Sequence, residues 1–157
     1  MLSPEAALIY AMVVAAGSDR ETTQDEIGII GDLAEQLPIF CGIDRRQVAE
    51  LVTRCSEQLA RPGGIEQVYG QIRNALAGRL CEAAYALSCD VTALCPPQAD
   101  GQPLERIRAQ LEVDGAAART IERAARVRSG WPDEASLATP TQRQASTSAG
   151  LSVPLPS

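Results

Sequence analysis

Ala6-Ala7-Leu8-Ile9-Tyr10-Ala11-Met12-Val13-Val14-Ala15-Ala16 is an unbroken apolar run, and an acidic elbow, Gly17-Ser18-Asp19-Arg20-Glu21-Thr22-Thr23-Gln24-Asp25-Glu26, follows at once. Ser3 is a good N-cap, Pro4 fits the first helical position, and Glu5 complements the positive end of a helix. The run therefore predicts a helix from Pro4 that Gly17 closes as a C-cap. Leu8, Ile9, Met12, Val13 and Ala16 mark an inner face, but the outer face is apolar as well. A helix with no polar face has to be enclosed by others, so this one implies a bundle around it.

The rest of the chain supplies the surrounding helices. Thr23, Gln24, Asp25 and Glu26 form a capping box, with the Thr23 hydroxyl on the amide of Glu26 and the Glu26 carboxylate on the amide of Thr23. Ile27, Ile30, Leu33 and Leu37 follow at helical spacing until Pro38 stops the helix. Ile39 and Phe40 are expected to tuck a short loop against the core. Asp44 and Gln47 make a second capping box, and Val48, Leu51, Val52, Cys55 and Leu59 give the clearest amphipathic spacing in the chain. Arg61-Pro62-Gly63-Gly64 breaks that helix. Further helices are predicted over 65–77, 79–94, 103–112 and 115–128, the last capped by Asp114. The helix over 79–94 is Ala-rich and largely apolar like the first, and Cys95-Pro96-Pro97 ends it.

These segments predict an all-α bundle of about seven helices over residues 1–128. Beyond it Ser, Thr, Pro, Ala and Gln dominate and apolar residues recur at no period. Residues 129–157 thus read as a low-complexity tail expected to be disordered, with Trp131 its one odd residue. Tyr10-Ala11 and Tyr85-Ala86 sit alike in the two apolar helices. Each of those helices is followed by a polar loop, an amphipathic helix and an Asp-capped helix. The pattern suggests a pseudo-two-fold internal repeat of helices one to three and five to seven.

Composition narrows the function. With 157 residues the chain can bury a sound core, and one Trp, one Phe and three Tyr suit helix packing better than sheets. A formal net charge of −6 repels phosphate backbones, so nucleic acid is an unexpected partner. No apolar run approaches the ~20 residues that cross a bilayer, and Glu5 stands where a signal peptide carries positive charge. A cytoplasmic protein with no transmembrane segment is expected. Five cysteines without a Cys-x-x-Cys motif read as small buried hydrophobes. Cys89 and Cys95 lie at the end of the helix over 79–94, where a reactive pair would meet thiophilic agents. The chain has no histidine, which removes His-based acid–base catalysis, Ser-His and Cys-His pairs and His ligation of zinc.

The apolar helix over 7–16, followed by Ser18-Asp19-Arg20-Glu21, Thr23, Glu26, Ile27 and Ile30, resembles the tellurite-resistance TerB-like family. Leu111-Glu112-Val113-Asp114 and the segment 118–126 resemble it more weakly, so that the likeness covers about residues 2–128. It implies an all-α bundle of about seven helices with internal pseudo-symmetry, a role in tellurite resistance and general stress responses, and membrane-associated protein partners. It also implies a divalent-cation site, Ca²⁺ or Mg²⁺, built from acids at the two elbows. By position, Asp19 and Glu26 match the first acidic motif. The second motif departs from the family: Leu94-Cys95-Pro96-Pro97 replaces an Ala-Asp-Gly, leaving Asp90 inside the helix and Asp100 further on as its candidate acids.

Two accounts of the elbow compete. In one, Glu26 is the capping-box acid, Asp25 stabilises a helix N-terminus, and Asp19 and Glu21 decorate a solvated turn, which places every carboxylate. In the other, Asp19 and Glu26, joined by Asp90 or Asp100, offer the clustered oxygens that a hard cation prefers. The spacing is not an EF-hand, because the mid-loop Gly is missing and Ile30 stands in place of the bidentate Glu. Asp90 in an apolar helix needs a partner, with Arg79 and Arg106 the candidates. Arg119, Arg123, Arg126 and Arg128 read as a solvated basic stripe. The expectation is a non-catalytic module with a candidate cation site. The alternative is a structural, protein-binding bundle without one. A metal-dependent enzyme lacks a visible nucleophile or base.

Overall fold

The computed structural model describes residues 1–17, 22–95 and 103–130. Among these residues the chain is all-helical, with seven α-helices and no strand: α1 (Pro4–Gly17), α2 (Gln24–Glu35), α3 (Arg45–Leu59), α4 (Gly64–Ala75), α5 (Arg79–Leu94), α6 (Pro103–Gln110) and α7 (Gly115–Arg128). A single 3₁₀ turn, Pro38–Phe40, links α2 to α3.

The apolar run does what its composition requires. Every residue of α1 from Ala6 to Ala16 is buried, and α2, α3, α4, α5 and α6 all pack against it. Its most extensive neighbour is α5. Small residues are fully buried on both helices: Ala7, Ala11 and Ala15 repeat one turn apart on α1, and Ala84 and Ser88 are equally spaced on α5. Ser88 satisfies its hydroxyl inside this contact by donating to the Ala84 carbonyl at 2.8 Å, with the Ala11 carbonyl of α1 at 3.4 Å.

Both predicted capping boxes are present, on Thr23/Glu26 and on Asp44/Gln47. Asp114 accepts from the amides of Ala116 and Ala117 and so starts α7. Arg45, in the first turn of α3, pairs with Asp32 and with Glu35 at 2.7 Å near the end of α2. Thr22, just ahead of α2, shares a 2.7 Å hydrogen bond with Ser56 near the end of α3. Those two ties, at opposite ends, hold α2 and α3 antiparallel.

Some expectations need correction. The 3₁₀ turn buries Phe40 but leaves Ile39 38% exposed, because a turn of three residues can direct only one of two adjacent side chains inward. α2, α4 and α6 each end about two residues early, although Leu76 and Leu111 remain buried just past their helix ends. α5 is less enclosed than α1. It buries Ala84, Tyr85, Leu87, Ser88, Cys89 and Val91, while Leu94 is 50% exposed. The expected tail lies outside the described residues beyond Gly130.

Candidate functional site

Of the four candidate acids, Asp19 and Asp100 lie outside the described residues. Glu26 is in the first turn of α2. Its carboxylate accepts from the Thr23 amide at 2.7 Å, and its own amide is 3.3 Å from the Thr23 hydroxyl. It is only 5% exposed. The capping box therefore explains why a carboxylate can sit there: a charge-assisted hydrogen bond and the positive helix end offset part of its desolvation.

Asp90 lies near the end of α5 and pairs with Arg128, whose two nitrogens stand 2.8 and 3.2 Å from one Asp90 oxygen. Neither expected partner is used. Arg79 is three turns back on the same helix, about 16 Å along its axis, and Arg106 faces Glu66 at 3.9 Å instead. The partner comes from α7, which lies along α5 in the same direction: Tyr85 meets Glu122, and Asp90 meets Arg128. Arg128 thus leaves the solvated basic stripe to which its spacing assigned it. The Asp90 side chain is 18% exposed and that of Arg128 is 53% exposed.

Asp90 and Arg128 stand at one side of an open groove of about 700 Å³. Its walls come from α2 and the 3₁₀ turn (Leu33, Leu37, Ile39) and from α5 (Ala83, Leu87, Leu94). Glu26 lies two turns, about 10 Å, ahead of Leu33 on α2 and is not part of this lining. Among the described residues no group of three or more Asp, Glu, Cys or His side chains is arranged to hold a metal ion.

A second polar cluster escaped the motif reading. The Tyr85 hydroxyl, on a fully buried ring, donates to a Glu122 carboxylate oxygen at 2.6 Å. Burial, and then that hydrogen bond, push the Tyr85 phenol well above its ordinary range. Cys89, one turn along α5, is pushed up to about 12, chiefly by burial and next by the negative Glu122. Its thiol stays protonated and is a poor nucleophile, contrary to what a reactive Cys89–Cys95 pair would need. The signal available in the sequence was Glu122, an acid beside the inward-facing Ile121 of an amphipathic helix. The groove also had a signal, the apolar Leu94 and Ile39 at element ends.

Comparisons with protein-family models, with curated proteins and with solved structures found nothing that matches this chain. Among the described residues no helix is long and apolar enough to cross a membrane.

Proposed function

We propose that this chain is a non-catalytic helical interaction module of the stress-response, tellurite-resistance type that its TerB-like motifs suggest, with elbow acids that serve first to hold helix ends. The observation that carries this reading is the engagement of the two described acids. Glu26 holds the Thr23 amide at 2.7 Å, and Asp90 is held by Arg128 at 2.8 Å. Carboxylates engaged in this way gain charge-assisted hydrogen bonds without a metal. The lack of histidine and the protonated Cys89 thiol support a non-catalytic role. Protein partners, membrane-associated ones included, come from the resemblance, and the net charge of −6 disfavours nucleic acid.

A second reading gives the elbow a Ca²⁺ or Mg²⁺ ion held by Asp19 and Glu26, with Asp90 or Asp100 in support. One observation favours it: Glu26 is the only buried acid among the described residues. A desolvated carboxylate beside a hard cation gains more than a solvated one. Thermal unfolding with and without Ca²⁺ or Mg²⁺ separates the two. The first reading expects no change in Tm on adding the ions or a chelator. A rise in the wild type that Asp19→Asn abolishes would replace it with the second.

A further inference from the structure

We infer that the groove between α2 and α5 is the docking site of this chain's own segment beginning at Trp131, with the Trp131 indole as the anchor. The inference does not rest on the family reading, and of the candidate cation ligands it involves only Asp90, in its ion pair with Arg128.

The end of α7 carries it. Arg128, the last residue of the helix, and Ser129, its C-cap, both line the groove. The ion pair of Arg128 with Asp90 fixes that end of α7 against α5 at 2.8 Å. The chain therefore leaves the helix on the rim of the groove. Gly130 adopts φ +70°, and its amide donates to the Val127 carbonyl at 3.2 Å. Those are features of a Schellman helix end, at which the chain turns back on itself. Covalent geometry holds the Trp131 Cα within about 7 Å of that of Ser129.

The chemistry of the two sides agrees. The walls are aliphatic, and Leu94 on the α5 side is half exposed with nothing described to cover it. Trp131 is the only tryptophan in the chain, and beyond it only Asp133, Glu134 and Arg143 are charged as far as Ser157. An indole buries roughly 150–250 Å² when enclosed, and a groove of about 700 Å³ has room for it and for part of the segment that follows. A docked Trp131 would take up apolar wall that an added apolar ligand could otherwise use.

Because Trp131 is unique, its fluorescence reports on the proposal directly. The full chain should emit at shorter wavelength than the same chain in guanidinium, and acrylamide should quench it severalfold less. Leu94→Asp, at an exposed position on the groove, should shift the emission to the red and restore quenching with unchanged far-UV circular dichroism. Ala86→Gln on the same wall serves if Leu94→Asp fails to fold. Trp131→Ala should raise the fluorescence of an added apolar dye severalfold. A wild-type emission already like that of the unfolded chain would overturn the proposal. So would a blue-shifted emission that neither groove variant moves, which places the indole elsewhere. A blue shift lost on hundredfold dilution would also overturn it, because a second copy would then supply the indole.

Discussion

Replacing Glu26 separates the cap from the charge. Glu26→Ala deprives the Thr23 amide of its acceptor at 2.7 Å. Thr23 is exposed, so water replaces part of the loss, and that hydrogen bond contributes about 0.5–1.5 kcal/mol. The negative charge in the first turn of α2 adds about 0.3–1 kcal/mol, and the buried methylene about 0.8 kcal/mol. Together these give about 2 kcal/mol, which lowers Tm by about 6–10 °C for a domain of this size. Glu26→Gln keeps an oxygen that accepts from Thr23 and loses chiefly the charge, so it should cost about 0.5–1 kcal/mol. Thr23→Ala breaks the reciprocal bond for about 1 kcal/mol. The Thr23/Glu26 double variant should lose less than the sum, because both halves belong to one box. Urea unfolding followed by circular dichroism, in a chelator, measures all four. If Glu26→Gln costs as much as Glu26→Ala, the cap is not what the carboxylate provides and the reasoning fails.

Three further outcomes follow from the packing. An added methyl on Gly64 would lie 1.8 Å from the Gln58 carbonyl oxygen, whereas Gly70 in the same helix meets nothing within 4 Å. Gly64→Ala should therefore lower the urea midpoint by about 1–3 kcal/mol equivalent, and Gly70→Ala should raise it by about 0.4–1. A double-mutant cycle on Asp90→Asn and Arg128→Ala should give a coupling of about 0.2–1 kcal/mol that shrinks in high salt, since the arginine is half exposed. Alkaline pH should destabilise the domain: the native Cys89 thiol holds its proton up to about 12, against an ordinary value of 9.0. The unfolded chain releases that proton first, so stability is complete below about pH 8.5 and falls between there and about pH 12. A Tm that stays level from pH 8 to pH 10.5 would contradict this, and Cys89→Ala should lessen the slope without abolishing it, because burial also pushes up the Cys55 thiol.

Local chemistry was legible in the sequence and long-range pairing was not. The apolar run of α1 demanded enclosure on all sides and is enclosed, because no arrangement leaves such a face in water cheaply. Thr23/Glu26 and Asp44/Gln47 could be read because both partners of each box lie within one turn. Helix ends were misplaced by a residue or two wherever apolar residues continued past the last hydrogen-bonded turn, as at Leu76 and Leu111. Ile39 and Phe40 are chemically alike, and only the geometry of the turn tells them apart. The partners of Asp90 and Tyr85 depend on how α7 lies along α5, which no spacing within either helix encodes. Of the four candidate ligands, Glu26 and Asp90 proved to be engaged by Thr23 and Arg128, while Asp19 and Asp100 fall outside the described residues.

The placement of α1 also has a consequence for synthesis. The helix against which α2 to α6 pack is translated before them, and α5, its most extensive neighbour, is completed only roughly 80 residues after it, which at ordinary translation speeds is on the order of 4–16 s. For that interval α2, α3 and α4 can cover α1 only in part, and the side that α5 takes stays open. Chaperone capture of nascent chains should therefore map to residues 6–16, and rare codons between α2 and α5 should lower the yield of soluble protein more than rare codons after α5.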